Sequence, residues 1–374
     1  MTAAPRIPFL PLAPRADREA VDAAIDRVLS SGWFVLGPEV EAFESEFAAA
    51  AGARHGVGVG SGTDALALIL RALDIGAGDE VITTPLSAAY TALAIVMAGA
   101  RPVFADVDPA RLTIDPAAVE TAVGPRTRAI LPVHLYGQAA DMHAIEQVAS
   151  RHHLAIVEDC CQAHFATSGG RPAGTIGVAG AFSFYPTKNL AALGDGGAVI
   201  TNDAALARRI KRLRNGGRGD RDQHLETGVN SRLDEIQAAI LRARLPQLAA
   251  WTARRRRLAA AYRARLAGAP VEPVAERDSG HVYHLFVVRS ATRSELREHL
   301  VARGIETLIH YPVPIPEQPA FKSESPAACP AAARACREVL SLPLHPALGD
   351  DDVSEIAGAL HAYRPESGRA TCAR

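Results

Sequence analysis

The chain has 374 residues, 48% of them hydrophobic, and 40 Lys and Arg against 41 Asp and Glu give a formal net charge of -1. That length carries one large core or a large domain plus a small one, and the balanced charge supplies no field to draw nucleic acid or an anionic membrane. The five cysteines, Cys160, Cys161, Cys329, Cys336 and Cys372, are odd in number and lack CxxC spacing, which argues against a disulfide framework and against a metal centre of the zinc type.

In chain order, residues 1–15 are interrupted by prolines and lack the apolar run of a secretory leader. Apolar residues recur at helical spacing over 17–29 and 39–51, and 55–59 reads as a strand entering Gly60-Ser61-Gly62, with a helix over 63–73. Apolar strands are expected at 80–83, 102–105, 129–134 and 154–157, separated by helix-length segments such as 141–151. The longest apolar run, 88–100, is too short for the ~20 residues that cross a bilayer as a helix, so no transmembrane span and a cytoplasmic location are expected. Repeated βα alternation with nearly continuous apolar strands predicts a parallel sheet covered on both faces.

A strand at 198–201 is followed by helical patterns over 204–213 and 232–266, the second bent or broken at Pro246. The Arg254 to Arg257 run inside it reads as a solvated helix face in preference to a nucleic-acid patch. Beyond a loop-like stretch at 271–280, strands at 283–288 and 306–309 and helices at 294–303, 331–340 and 351–362 predict a compact α+β lobe. The domain division is therefore 1–246 for a large α/β domain and 247–365 for the smaller one, with 366–374 a polar, disordered tail.

Ligands of open parallel sheets lie outside the carboxyl ends of the strands, so the polar residues that follow apolar strands are the candidates for chemistry. Gly60-Ser61-Gly62-Thr63 sits between a strand and a helix, where close backbone approach and unpaired N–H groups suit a phosphate; an ordinary βα turn capped by Ser61 or Thr63 is the plainer alternative. Ala155 to Asp159 is an apolar strand ending in acids, and a carboxylate there can hold a ring nitrogen protonated, although acids also follow buried strands simply where the chain leaves the core. Phe182 to Asn189 runs into a Pro-interrupted loop bearing Lys188. A lysine is a nucleophile only as the neutral amine, which requires desolvation or a cationic neighbour, and a random loop lysine is merely solvated. Gly194-Asp195-Gly196-Gly197 implies close backbone approach without naming a ligand.

Together and in this order the segments resemble the DegT/DnrJ/EryC1/StrS family of sugar aminotransferases. The likeness runs from Ser31-Gly32-Trp33-Phe34-Val35-Leu36-Gly37-Pro38 through Ser61-Gly62-Thr63, Glu158 to His164, Ser183 to Asn189 and Asn230-Ser231-Arg232-Leu233-Asp234-Glu235, to Tyr283-His284-Leu285-Phe286 and Gly304 to Pro312. The resemblance implies a fold-type I pyridoxal-phosphate transferase, with a large, mostly parallel seven-stranded sheet domain and a smaller α+β domain. It implies that Lys188 carries pyridoxal 5′-phosphate as a Schiff base and moves the reacting proton. Asp159 would pair with the pyridine nitrogen, Gln162 with the ring's phenolic oxygen, and Gly62, Thr63 and Ser183 with the phosphate. Asn230 would reach the phosphate of a neighbouring subunit, making a homodimer with shared sites. L-Glutamate would donate to a nucleotide-linked keto-sugar, with Tyr185, His310 and Tyr311 the candidate sugar or diphosphate contacts. The glycine-rich 194–197 segment together with His310-Tyr311-Pro312 is more similar to members that aminate C3 of a dTDP-linked 3-keto-6-deoxyhexose than to those that aminate C4.

Three positions depart from the family pattern. Ala88 stands where an aromatic residue commonly stacks on the cofactor ring, with Tyr90 the nearby aromatic to take that role; Cys160-Cys161 replaces small residues; and Phe165 follows His164 where glycine is usual. Lys188 argues against the dehydratase branch, which has histidine there. A non-catalytic regulatory protein that kept the fold is the alternative from another class.

Overall fold

The computed structural model describes residues 5–12, 16–219, 223–321 and 328–365, so the expected tail at 366–374 lies outside the described residues. The elements that build the large sheet are β1 (His55–Val59), β2 (Glu80–Thr83), β3 (Arg101–Phe104), β4 (Thr127–Leu131) and β5 (Ala155–Asp159). A two-residue hairpin of β6 (Thr167–Ser168) and β7 (Arg171–Pro172) follows, and then β8 (Ala179–Ser183) and β9 (Gly197–Thr201). The seven-stranded sheet has the order β1-β9-β8-β5-β4-β2-β3, parallel throughout except that β9 runs against both neighbours. Reversing β9 leaves β1, β5 and β8 pointing the same way, so Gly60, Asp159 and Ser183 reach one edge.

Helices α1 (Arg18–Ser31), α2 (Pro38–Ala50), α3 (Gly62–Ala72), α4 (Tyr90–Met97), α5 (Pro116–Ala122), α6 (Met142–His152) and α7 (Ala204–Leu213) intervene in chain order. Helix α8 (Glu235–Arg244) and α9 (Leu248–Arg265) come from the single helical pattern expected over 232–266, divided by a 3-10 turn that contains Pro246. One face of the sheet packs on α3 and α7 through Leu66, Ile69, Leu70, Ile210 and Val199. The other carries Phe43, Phe47, Phe182 and Phe184, whose rings meet edge to face at 5.1–5.3 Å.

Two family-like motifs explain each other here. Pro38 starts α2, and the buried Glu235 carboxylate accepts from the backbone N–H groups of Gly37, Glu39 and Val40 at 2.8–2.9 Å. An acid from a distant segment thus satisfies the orphan donors of that helix start. Glu235 N in turn donates to Phe34 O, which stitches 33–40 to 230–238.

The smaller lobe holds β10 (Glu272–Pro273), β11 (Phe286–Arg289) and β12 (Val339–Leu342) as an antiparallel sheet, with α10 (Arg293–Val301), α11 (Pro330–Glu338) and α12 (Asp350–Ala362). Its core joins Leu258, Tyr262, Phe286, Leu340, Ile356 and Leu360. Three expectations need correction. The strand expected at 283–288 begins only at Phe286, because Val282 and Leu285 spend their N–H groups on Gly137 and Tyr136 and Tyr283 adopts φ +48°. The helix expected over 331–340 stops at Glu338, where Val339 enters β12 opposite Arg289. The strand expected at 306–309 is reduced to a bridge between Leu308 and Ser341.

Candidate active site

Asp159 ends β5 almost fully buried, with Oδ2 accepting from Thr91 Oγ1 at 2.8 Å and Oδ1 from Cys161 N at 3.0 Å. Each carboxylate oxygen has two lone pairs, so both retain acceptor capacity. Lys188 lies close enough for its charge to couple with Asp159 and Cys161. Burial lowers its ammonium pKa, and those two groups oppose the shift. The neutral amine is therefore more populated than in water.

Around this lysine the imidazoles are held neutral. Burial first, and then the Lys188 charge, bring His164 to about 3 and His310 to about 4, and push His284 well below its ordinary value. Among the described residues these three imidazoles are therefore not proton donors near neutral pH.

The turn at β1–α3 is built for an anion. Ser61 caps α3 by accepting from Asp64 N at 3.1 Å, which leaves the first N–H groups, those of Gly62 and Thr63, without intrahelical partners. A Cβ on Gly62 would come within 2.7 Å of Cys161 Sγ and 2.8 Å of Ser183 Cβ, so this glycine keeps the helix start, Cys161 and Ser183 in contact. Gly197 gives the 194–197 motif its purpose. A Cβ there would fall on the Ser61 carbonyl and within 2.8 Å of Gly62 N. Gly197→Ala is expected to displace the turn and weaken cofactor affinity by roughly 10–100-fold, the equivalent of the ~1–3 kcal/mol typical of overpacking; absorbance titration of the apoprotein measures it, and unchanged affinity would remove this role.

Gln162 is fixed from both ends. Its Oε1 accepts from Tyr136 N at 2.8 Å and its Nε2 donates to Tyr311 Oη at 2.9 Å, leaving the second amide hydrogen for a ligand. The Tyr136 hydroxyl donates to His310 O, the first residue of a cis His310–Tyr311 peptide. Through these bonds the two tyrosines and Gln162 form one connected unit. Burial raises the Tyr311 phenol, and it remains a neutral partner.

Of the residues anticipated from sequence, Gly62, Ser183, Asp159 and Lys188 thus converge on one edge, Thr63 follows Gly62 in the first turn of α3, and Gln162 joins through Tyr311. Tyr185 is 52% exposed on the Lys188 loop, where its carbonyl accepts from Lys188 N. Tyr90 is 64% exposed at the start of α4, one residue from Thr91. Asn230 is exposed beside Ser231, whose Oγ accepts from Gly60 N and donates to Asp64. Phe165 takes the left-handed φ of +60° that glycine favours and packs on Phe47 at 5.5 Å, in the aromatic core. Cys160 also faces that core, leaving Cys161 as the thiol at the site. Thr91, Tyr136 and Ser231 were not anticipated as site residues: a threonine starting an apolar helix and a tyrosine in a loop carry no distinguishing spacing.

Below the site, His134, Glu158 and Cys160 bring together atoms of metal-ligand type. The Glu158 carboxylate accepts from Gly174, Ile176 and Gly177 N–H groups at 2.7–2.8 Å and from His134 Nε2 at 3.0 Å, while His134 Nδ1 accepts from Ala140 N. With these acceptors engaged, the cluster is a hydrogen-bonded knot anchoring the 174–177 turn.

The neutral buried histidines also set an acid limit on the fold. His164 and His281 sit at about 3, and His310 and His345 at about 4, against 6.5 unfolded. Between those values the unfolded chain binds more protons, so their contribution is complete above pH 6.5 and is lost as pH falls towards 3. Each group adds up to ~1.4 kcal/mol per pH unit to that slope. Urea unfolding at pH 7, 5.5 and 4.5 should show the decline, and His164→Phe should flatten it.

A lysine and an aspartate at the carboxyl edge of this sheet, set against an anion-ready helix start, define a fold-type I transferase. The model of the "DegT/DnrJ/EryC1/StrS aminotransferase family" matches residues 15–361. A "dTDP-3-amino-3,4,6-trideoxy-alpha-D-glucose transaminase" of Streptomyces venezuelae is 52% identical over 365 residues, covering 96% of each chain. A "dTDP-3-amino-3,6-dideoxy-alpha-D-galactopyranose transaminase" of Aneurinibacillus thermoaerophilus is 44% identical, covering 96% of this chain and 99% of that one. The crystal structure of S. venezuelae DesV in complex with a ketimine intermediate superposes with a TM-score of 0.93 at 50% identity, over 96% of this chain and 98% of that one. The protein belongs to the DegT/DnrJ/EryC1/StrS family and is an aminotransferase.

Proposed function

We propose that the protein uses pyridoxal 5′-phosphate to move the amino group of L-glutamate onto C3 of a dTDP-linked 3-keto-6-deoxyhexose, in amino-sugar biosynthesis. The observation that carries the reading is the desolvated Lys188 beside Asp159, opposite the Gly62–Thr63 helix start. Those residues fit the cofactor: an anion cradle for its phosphate, a buried carboxylate for its ring nitrogen, and a spare Gln162 amide hydrogen for its ring oxygen. When bound, the cofactor supplies an electron sink for the carbanion formed at the donor's Cα.

Every other task falls to the chain. Asp159, aligned by Thr91 Oγ1 and Cys161 N, presents a fixed negative charge. Gly62, Thr63 and Ser183 hold the phosphate and so fix the distance to Lys188. The Lys188 amine would carry the proton from the donor's Cα to C4′ of the cofactor, and in the second half-reaction from C4′ to C3 of the sugar. Both relatives named above are transaminases named for sugars with the amino group at C3, which supports that position over C4. Tyr185, His310 and Tyr311 border the edge the sugar would use, although Tyr311 spends its hydroxyl on Gln162 and serves first to orient that amide.

The working unit is a homodimer in the cytoplasm, in which the exposed Asn230 reaches the partner's phosphate and the exposed Trp33, Phe34 and Tyr90 are covered. A monomer by light scattering at assay concentration would contradict this. The function is tested by colour and product. Purified protein should be yellow, glutamate alone should bleach it, and NMR of products from a panel of dTDP-keto-sugars should place nitrogen on C3. A cofactor-loaded protein whose spectrum glutamate leaves unchanged would be the regulatory alternative, and nitrogen on C4 would move the protein to the other sugar position.

A further inference from the structure

The Arg254 to Arg257 run is only partly the solvated face expected of it. Arg256 and Arg257 are exposed, but Arg255 is 4% exposed and turns inward. The reason is local: Nη1 donates to the carbonyls of Tyr283, His284 and Leu344 at 2.7–3.2 Å, pinning the irregular segment before β11 to the end of β12. Nε makes no hydrogen bond to any described residue, and no acidic side chain among the described residues pairs with the guanidinium. Burial alone brings its pKa to about 10.

Arg255 lines a cavity of about 220 Å³ walled by Phe9 and Leu10 of the N-terminal arm, Leu308, His310, and Thr187 beside Lys188. Glu306, the acid on this wall, is engaged by Phe9 N at 2.8 Å and holds the arm in place. Next to Arg255, the buried His345 has neither ring nitrogen in hydrogen-bond geometry, although the Pro8 backbone and the Arg255 charge both act on it. A buried cation with unused donors beside a cavity is costly unless an anion completes it. A guanidinium N–H left over from these carbonyls suits a carboxylate oxygen as a charge-assisted partner.

We propose that this cavity is the carboxylate subsite for the amino donor, with Arg255 gripping a carboxylate of glutamate and of the departing 2-oxoglutarate. Size separates this ligand from the other anion in the reaction. At about 220 Å³ the space is smaller than the ~300–1,000 Å³ of pockets for larger ligands, which suits a five-carbon diacid and not a nucleotide diphosphate. Thr187, His284 and His310 join it to the Lys188 edge. The inference rests on glutamate as donor and adds where it is recognised.

Each half-reaction is followed separately by absorbance. Arg255→Gln should raise the glutamate concentration for half-maximal bleaching by about 10–100-fold, while bleaching by the dTDP-amino-sugar keeps its wild-type dependence. Because Arg255 also holds three carbonyls, Leu308→Trp provides a second variant that fills the cavity and leaves the guanidinium in place. Calorimetry with glutarate, an unreactive diacid, should show binding to the cofactor-loaded wild type and none to either variant. If glutamate bleaches the wild type and both variants alike, or if the variants lose the two half-reactions equally, the subsite is refuted while the function stands. A wild type that glutamate does not bleach at all, but the amino-sugar does, overturns the donor itself.

Discussion

Lys188→Ala is expected to lower transamination by about 10⁴-fold or more, because in the proposed function one side chain supplies both the attachment point and the proton carrier. The surroundings offer no substitute. His164, His284 and His310 are the imidazoles that feel the Lys188 charge, and burial leaves all three neutral. Nor can the Cys161 thiol replace it, since burial and Asp159 hold that group well above its ordinary range. The variant should fold normally, as removing the amine relieves a desolvated charge. Single-turnover absorbance with glutamate and with product amino-sugar measures the effect; full turnover would remove Lys188 from the chemistry.

The second large effect is expected at Asp159. Asp159→Asn keeps size and shape but removes the negative charge proposed to hold the cofactor's ring nitrogen protonated, and turnover should fall by about 10²–10³-fold, the scale of losing one preorganised electrostatic contact. Geometry makes the substitution clean: an asparagine oxygen can still accept from Thr91 Oγ1 or Cys161 N. Thr91→Val should cost far less, because it loosens the carboxylate without discharging it. The pattern distinguishes charge from position. If Asp159→Asn and Thr91→Val lowered turnover equally, Asp159 would be acting through its alignment alone.

What could be read from the sequence follows physical range. Strand β1 at 55–59 and β2 at 80–83 match the expected bounds because a short, almost continuously buried apolar run and the glycines near its ends are local signals. Lys188 and Asp159 were legible only in company, each being unremarkable alone and significant through its order relative to the glycine turns. Contacts between distant segments left no such trace. Nothing near Thr91 announces a carboxylate 68 positions away, and nothing near Tyr136 announces Gln162. Arg255 shows the opposite failure: a run of four arginines signals solvent, yet one is captured by carbonyls from 28, 29 and 89 residues away. Phe165 departs from the glycine usual there at a position whose φ of +60° explains that preference, and its ring finds Phe47 instead of the pocket.

In the proposed function Lys188 anchors the cofactor at the edge shared by β1, β5 and β8. Borohydride reduction of the yellow protein followed by peptide mass spectrometry tests it most directly. A pyridoxyl group is expected on the peptide containing Lys188, and its loss when glutamate is added before reduction. A label on another lysine, or one that glutamate pretreatment leaves unchanged, would contradict it.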